Sequence, residues 1–79
     1  MKENIIALKN LPIGRTAKIK YLSSVGAIRR RMLDLGLISG TVVEAMHKSP
    51  SGDPTAYNIR GAVIALRSEE AGKILVELN

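Results

Sequence analysis

The stretch that decides the fold is Leu33-Asp34-Leu35-Gly36-Leu37-Ile38-Ser39-Gly40-Thr41. The residues before it have helical spacing, Gly36 is placed to end a helix, and Gly40 turns the chain into a β-rich segment. Most of the remaining chain has the pattern of short strands. A single helix among short strands predicts a small β protein. The stretch itself offers no acid–base pair for catalysis.

The flanking segments are predicted as strands and helices from their periodicity. In the first strand, Ala17, Ile19 and Tyr21 alternate with polar residues and share one face. The helix that follows carries its apolar residues at helical spacing, and Ser23 or Ser24 is positioned to cap it. Its predicted core face consists of Val25, Ile28, Met32 and Leu35. The strands are predicted over residues 15–22, 41–48, 55–60, 62–67 and 73–78, with a short helical turn before the last that begins at a Ser68 cap.

These elements predict a mainly β fold. About five strands with one α-helix inserted after the first form a small SH3-like antiparallel barrel, and residues 1–79 make a single domain. A five-stranded barrel of the OB type is the rival, but its helix usually follows the third strand. The position of the helix therefore favours the SH3-like class.

Composition limits the functional classes. Twelve Lys and Arg against seven Asp and Glu give a net charge of +5, there is no Cys, and there is one His. The basic balance indicates either an acidic partner or simple solubility. No apolar run approaches the roughly 20 residues that span a bilayer, and no signal peptide is recognisable, so we expect a cytoplasmic protein. With one His and no Cys, we expect no enzymatic activity.

Three groups of residues are candidate sites. Arg29 and Arg30 on the exposed side of the helix are predicted to bind a partner, as are Pro50, Asp53 and Pro54 in a loop rich in turn residues. His47 and Asp53 are the candidate metal-binding residues, although a structural site needs about four ligands. We therefore expect no required cofactor and only weak binding of Fe²⁺ or another transition metal.

Several motifs, in their order along the chain, resemble the FeoA family of ferrous iron transport protein A. They are Leu11-Pro12-x-Gly14, Arg30-x-Met32-Leu33-Asp34-Leu35-Gly36-Leu37-x-x-Gly40, Gly52-Asp53-Pro54, Arg60-Gly61 and Ile64-Ala65-Leu66-Arg67. The resemblance covers the chain from about Leu8 to Leu78. Ser39 stands where the family commonly has proline.

The resemblance implies an accessory or regulatory protein of bacterial ferrous iron uptake. Its expected partner is the membrane transporter FeoB, which carries a cytoplasmic GTP-binding region, and contact with the membrane is expected only through that partner. A small basic nucleic-acid-binding barrel and a transition-metal-sensing module are the alternatives, although we expect no nucleic acid. Exposed edge strands leave weak self-association open.

Overall fold

The computed structural model describes residues 4–79, which form a six-stranded antiparallel sheet and two α-helices. The strands are β1 (Ile5–Ala7), β2 (Thr16–Leu22), β3 (Val42–Lys48), β4 (Thr55–Ile59), β5 (Ala62–Leu66) and β6 (Ile74–Leu78). The helices are α1 (Gly26–Asp34) and α2 (Ser68–Ala71), and one 3-10 turn covers Leu8–Asn10. Among residues 4–79, neither helix has the length and apolar character needed to cross a bilayer.

The strand order in the sheet is β1-β6-β2-β3-β4-β5. Its concave side encloses a core of aliphatic residues and one tyrosine, Tyr57. The predicted mainly β fold with one inserted helix is confirmed. One strand was missed: β1 pairs with β6, so the described chain has six strands and α1 follows the second. Three residues are too few for a periodicity to be visible in the sequence.

Helix α1 ends as the sequence predicts. Gly36 has a φ of +95°, and its backbone N–H donates to the Leu33 carbonyl at 3.0 Å. The Leu37 N–H donates to the Met32 carbonyl at 3.1 Å, which completes a Schellman motif. Leu37 is thereby turned into the core, where it is fully buried.

The predicted core face of α1 is confirmed at Met32 and wrong at Val25 and Ile28, and the predicted cap is wrong. Of the four residues assigned to the core, only Met32 is buried, whereas Val25 and Ile28 are exposed. The N-cap is Val25, which makes no capping hydrogen bond, and Ser23 instead donates its hydroxyl to the Lys73 carbonyl at 2.9 Å. Within α1 only Met32 is buried by the rest of the fold, so a full apolar stripe is not needed.

Strand β2 does not keep the predicted alternation. Its pairing with β6 shifts register between Ile19 and Tyr21, which marks a β-bulge. Ile19 and Leu22 are buried, but Tyr21 is 58% exposed. One extra residue in a strand inverts the direction of every side chain beyond it. The prediction that Tyr21 shares the core face is therefore wrong.

The hairpin of β4 and β5 and the start of α2 are held by local contacts. Arg60 and Gly61 form the two-residue loop, both with positive φ, and Gly61 N–H donates to the Asn58 side-chain oxygen at 3.0 Å. Ser68 is the first residue of α2 rather than its predicted cap. Its N–H donates to the Asp53 carboxylate at 2.8 Å.

Candidate partner-binding surface

Arg29 and Arg30 lie on the exposed side of α1, as predicted, but they differ in their contacts. The Arg29 guanidinium donates to the Leu22 carbonyl at 3.1 Å and so ties the helix to the end of β2. Arg30 has no such anchor within residues 4–79 and lines a surface depression with Arg29, Leu33 and Asp34. Arg29 therefore anchors the helix to β2, whereas the Arg30 side chain remains exposed.

Exposed apolar side chains surround this pair of arginines. A second depression adjoins the first, since Arg29 and Leu33 line both, and it extends to Tyr21 and Ser39. Ser39 also lines a third depression, which continues along β3. We call the combined area the helix–loop surface; its members are Tyr21, Arg29, Arg30, Leu33, Ile38, Ser39, Val42 and Arg60.

The helix–loop surface combines exposed apolar side chains with an excess of positive charge. Tyr21, Leu33, Ile38 and Val42 are all large apolar side chains that remain exposed. The charged residues lining the three depressions are Lys20, Arg29, Arg30, Arg60 and Asp34, so cations outnumber anions by four to one. Exposed apolar side chains next to charged groups are typical of a protein-binding site, and the excess of positive charge favours an acidic partner.

Arg31 is not part of the helix–loop surface, because it forms an ion pair with Glu70. Its guanidinium contacts the Glu70 carboxylate, which also accepts a hydrogen bond from the Arg67 N–H at 3.0 Å. The Arg67 hydrogen bond and the Arg31 charge hold the pKa of Glu70 below its ordinary value. The pair fastens α1 to α2, so the third arginine of the triplet has a structural role.

The loop between β3 and β4 contains the other predicted partner-binding residues. Asp53 is half-buried, and both of its carboxylate oxygens face Ser68, one at 2.8 Å from the backbone nitrogen and the other at 3.5 Å from the hydroxyl. Pro54 is also half-buried, whereas Pro50 is exposed. Within residues 4–79, no hydrogen bond or ion pair joins this loop to Arg29 or Arg30. Asp53 has a capping role at α2, and a role in partner binding stays a prediction.

The candidate metal residues do not form a multidentate cluster. His47 is exposed on β3, and Asp53 is engaged by Ser68. Across the described range 4–79, no group of three or more His, Cys, Asp or Glu residues is placed to hold a metal ion. Metal binding at His47 and Asp53 stays a prediction.

Sequence reasoning missed the apolar part of the helix–loop surface. Tyr21 was assigned to the core face because the bulge before it has no sequence signature. The exposure of Val42 does have a sequence signal, because the 41–48 segment carries apolar residues on both of its faces. A sheet buried on one side only leaves one of those faces unpartnered.

The chain matches one protein family and a curated relative that contains a FeoA domain. The profile of the FeoA domain family matches residues 6–78. The chain is 35% identical over 71 residues to the Fe(2+) transport protein A/Fe(2+) transporter FeoB fusion protein of Porphyromonas gingivalis. That match covers 90% of this chain but 8% of the fusion protein, so the chain corresponds to a small part of that relative.

Among the similar solved structures, two FeoA proteins share the fold along most of their length. The FeoA-like protein of Clostridium acetobutylicum is 35% identical, with a TM-score of 0.87, and the match covers 99% of this chain and 90% of that one. FeoA of Stenotrophomonas maltophilia, solved with zinc and described as a prokaryotic SH3 domain protein, is 28% identical with a TM-score of 0.79. That match covers 96% of this chain and 89% of the other. The SH3-like class predicted from the order of elements is thereby confirmed.

Proposed function

Because this chain belongs to the FeoA family, we propose that it is an accessory protein of ferrous iron uptake that binds the membrane transporter FeoB in the cytoplasm. The observation that carries the proposal is the fused relative, in which a domain 35% identical to this chain is part of one polypeptide with FeoB. A domain that is covalently joined to a transporter in one organism commonly acts on it as a separate chain in another. In this proposal the chain binds and regulates and catalyses no reaction.

The helix–loop surface supplies the contact. Its exposed apolar side chains give the buried area that a specific interface needs, and its excess of positive charge attracts an acidic face of the transporter's cytoplasmic GTP-binding region. Arg30 is the residue we expect to contribute most to charge recognition, because Arg29 and Arg31 are engaged within the chain. The separate loop with Pro50, Asp53 and Pro54 is a second, weaker contact in this proposal.

The test is a binding titration between this chain and the purified cytoplasmic region of FeoB from the same organism. Arg30→Glu should weaken binding by at least about tenfold, since a reversed charge at an interface costs about 1.4 kcal/mol or more. The matched control is Arg15→Glu, an exposed arginine with the same change of charge. Arg15 lines none of the three depressions that make up the helix–loop surface.

Two outcomes would count against the proposal. If the unaltered chain fails to bind the transporter region in every nucleotide state, FeoB is not its partner. Equal loss of binding in Arg30→Glu and Arg15→Glu would show that only net charge matters and would remove the helix–loop surface from the interface. Tyr21→Ala separates the two contributions, because it removes an exposed apolar contact without changing charge.

A further inference from the structure

Strand β5 leaves one of its edges without a partner strand. It stands at the end of the sheet, and within residues 4–79 it pairs only with β4. The residue pair that flanks a two-residue hairpin loop, here Ile59 and Ala62, is hydrogen-bonded. Along the two strands, hydrogen-bonded pairs then alternate with pairs that are not hydrogen-bonded to each other. Ala62, Ile64 and Leu66 therefore direct their backbone groups toward β4. Val63 and Ala65 direct their N–H and C=O groups outward.

This edge lacks the features that usually protect a terminal strand. The five residues of β5 include no charged residue and no proline, and the pairing with β4 has no bulge. Val63 is 61% exposed, and Ala62 and Ala65 are exposed beside it. The other terminal strand, β1, is only three residues long, which is itself a protection.

We propose that β5 is a self-association edge, which pairs antiparallel with β5 of a second copy of this chain about a twofold axis at Ile64. In that register Val63 faces Ala65 of the second copy, and each such pair exchanges two backbone hydrogen bonds. The larger side chain of Val63 in one copy then lies beside the small side chain of Ala65 in the other. The inference is independent of the proposed binding to FeoB.

The ends of β5 fit this register and limit its length. The next outward-facing residues are Gly61 and Arg67, which would oppose each other across the twofold axis. Their N–H groups are already used, by the Asn58 side chain and by the Glu70 carboxylate, each at 3.0 Å. The pairing is thus confined to the uncharged segment. So short an interface between two molecules of charge +5 predicts weak association, with a Kd on the order of 0.1 to 1 mM.

Sedimentation equilibrium over a concentration series tests the proposal. Val63→Lys places a charge on the edge, and Ala65→Pro removes an outward N–H without removing a bond to β4. Each should raise the dimer Kd by at least about tenfold. The matched control is Val42→Lys, which adds the same charge at an exposed valine of an inner strand and should leave the Kd unchanged. Far-UV circular dichroism checks that each variant is folded.

Amide hydrogen exchange identifies the edge directly. The amides of Val63 and Ala65 should become protected as concentration rises, whereas the Ile64 amide, which bonds to β4, should exchange at the same slow rate throughout. The proposal is overturned if the chain stays monomeric at millimolar concentration, or if Val63→Lys and Val42→Lys behave alike. It is also overturned if the chain stays monomeric while Val63→Lys impairs binding to the transporter, because the edge then serves a different partner.

Discussion

The attachment of α1 to the barrel gives the sharpest test of the structure, through the pair Met32→Ala and Ile28→Ala. The two residues lie one helical turn apart, and both have the spacing of a core-facing stripe. In the structure Met32 is fully buried, whereas Ile28 is 50% exposed. A sequence-based assignment predicts similar losses for both substitutions, but the structure predicts very different ones.

The expected magnitudes follow from burial. Removing a fully buried methionine side chain costs about 2 to 5 kcal/mol, because it leaves a cavity that the surrounding side chains fill only in part. A chain of 79 residues has a total free energy of unfolding of roughly 4 to 12 kcal/mol, so this loss is a large fraction of it. Ile28→Ala should change stability by no more than about 1 kcal/mol, because lost partial burial is offset by the higher helix propensity of alanine.

Urea unfolding followed by circular dichroism measures both variants, and linear extrapolation gives their free energies. Met32→Ala should also weaken binding to the transporter, because a loosened α1 no longer presents Arg30 at a fixed position. A loss below about 1 kcal/mol for Met32→Ala, or an equal loss for Ile28→Ala, would refute the docking of α1 described here.

Three further predictions concern polar side chains that form hydrogen bonds or ion pairs within the fold. Glu70→Gln should lower stability at neutral pH by less than about 1 kcal/mol, because the ion pair with Arg31 is partly exposed. Since the pKa of Glu70 is lowered on folding, its contribution is present above the unfolded pKa and is lost as pH falls through the folded value. The free energies of unfolding of the variant and the parent should therefore converge at acidic pH. Burial raises the pKa of Tyr57, whose hydroxyl donates to the Leu8 carbonyl at 3.4 Å, so stability should fall as pH rises above about 10. Tyr57→Phe should abolish that alkaline loss in urea titrations, and a retained loss would contradict it. Asp53→Ala removes the cap of α2 and should cost about 1 kcal/mol, with faster amide exchange confined to that helix; unchanged exchange there would argue against the capping role.

The fold and the candidate site were predictable to different degrees. The helix stop at Gly36, the hairpin at Arg60-Gly61 and the order of helix and strands follow from residues that need particular backbone conformations. Arg29 and Arg30 were correctly placed on an exposed helix surface. Their difference in role was not predictable, because it depends on where the Leu22 carbonyl comes to lie.

The sequence by itself determined where this chain turns and which segments extend or coil, because a glycine with positive φ or a run of alternating side chains acts over only a few residues. Only the tertiary structure decided which faces are buried. A bulge in β2 exposes Tyr21, and within α1 the rest of the fold buries Met32 alone. Burial depends on which remote segments pack together, and such contacts leave no periodic signal in the segment they cover.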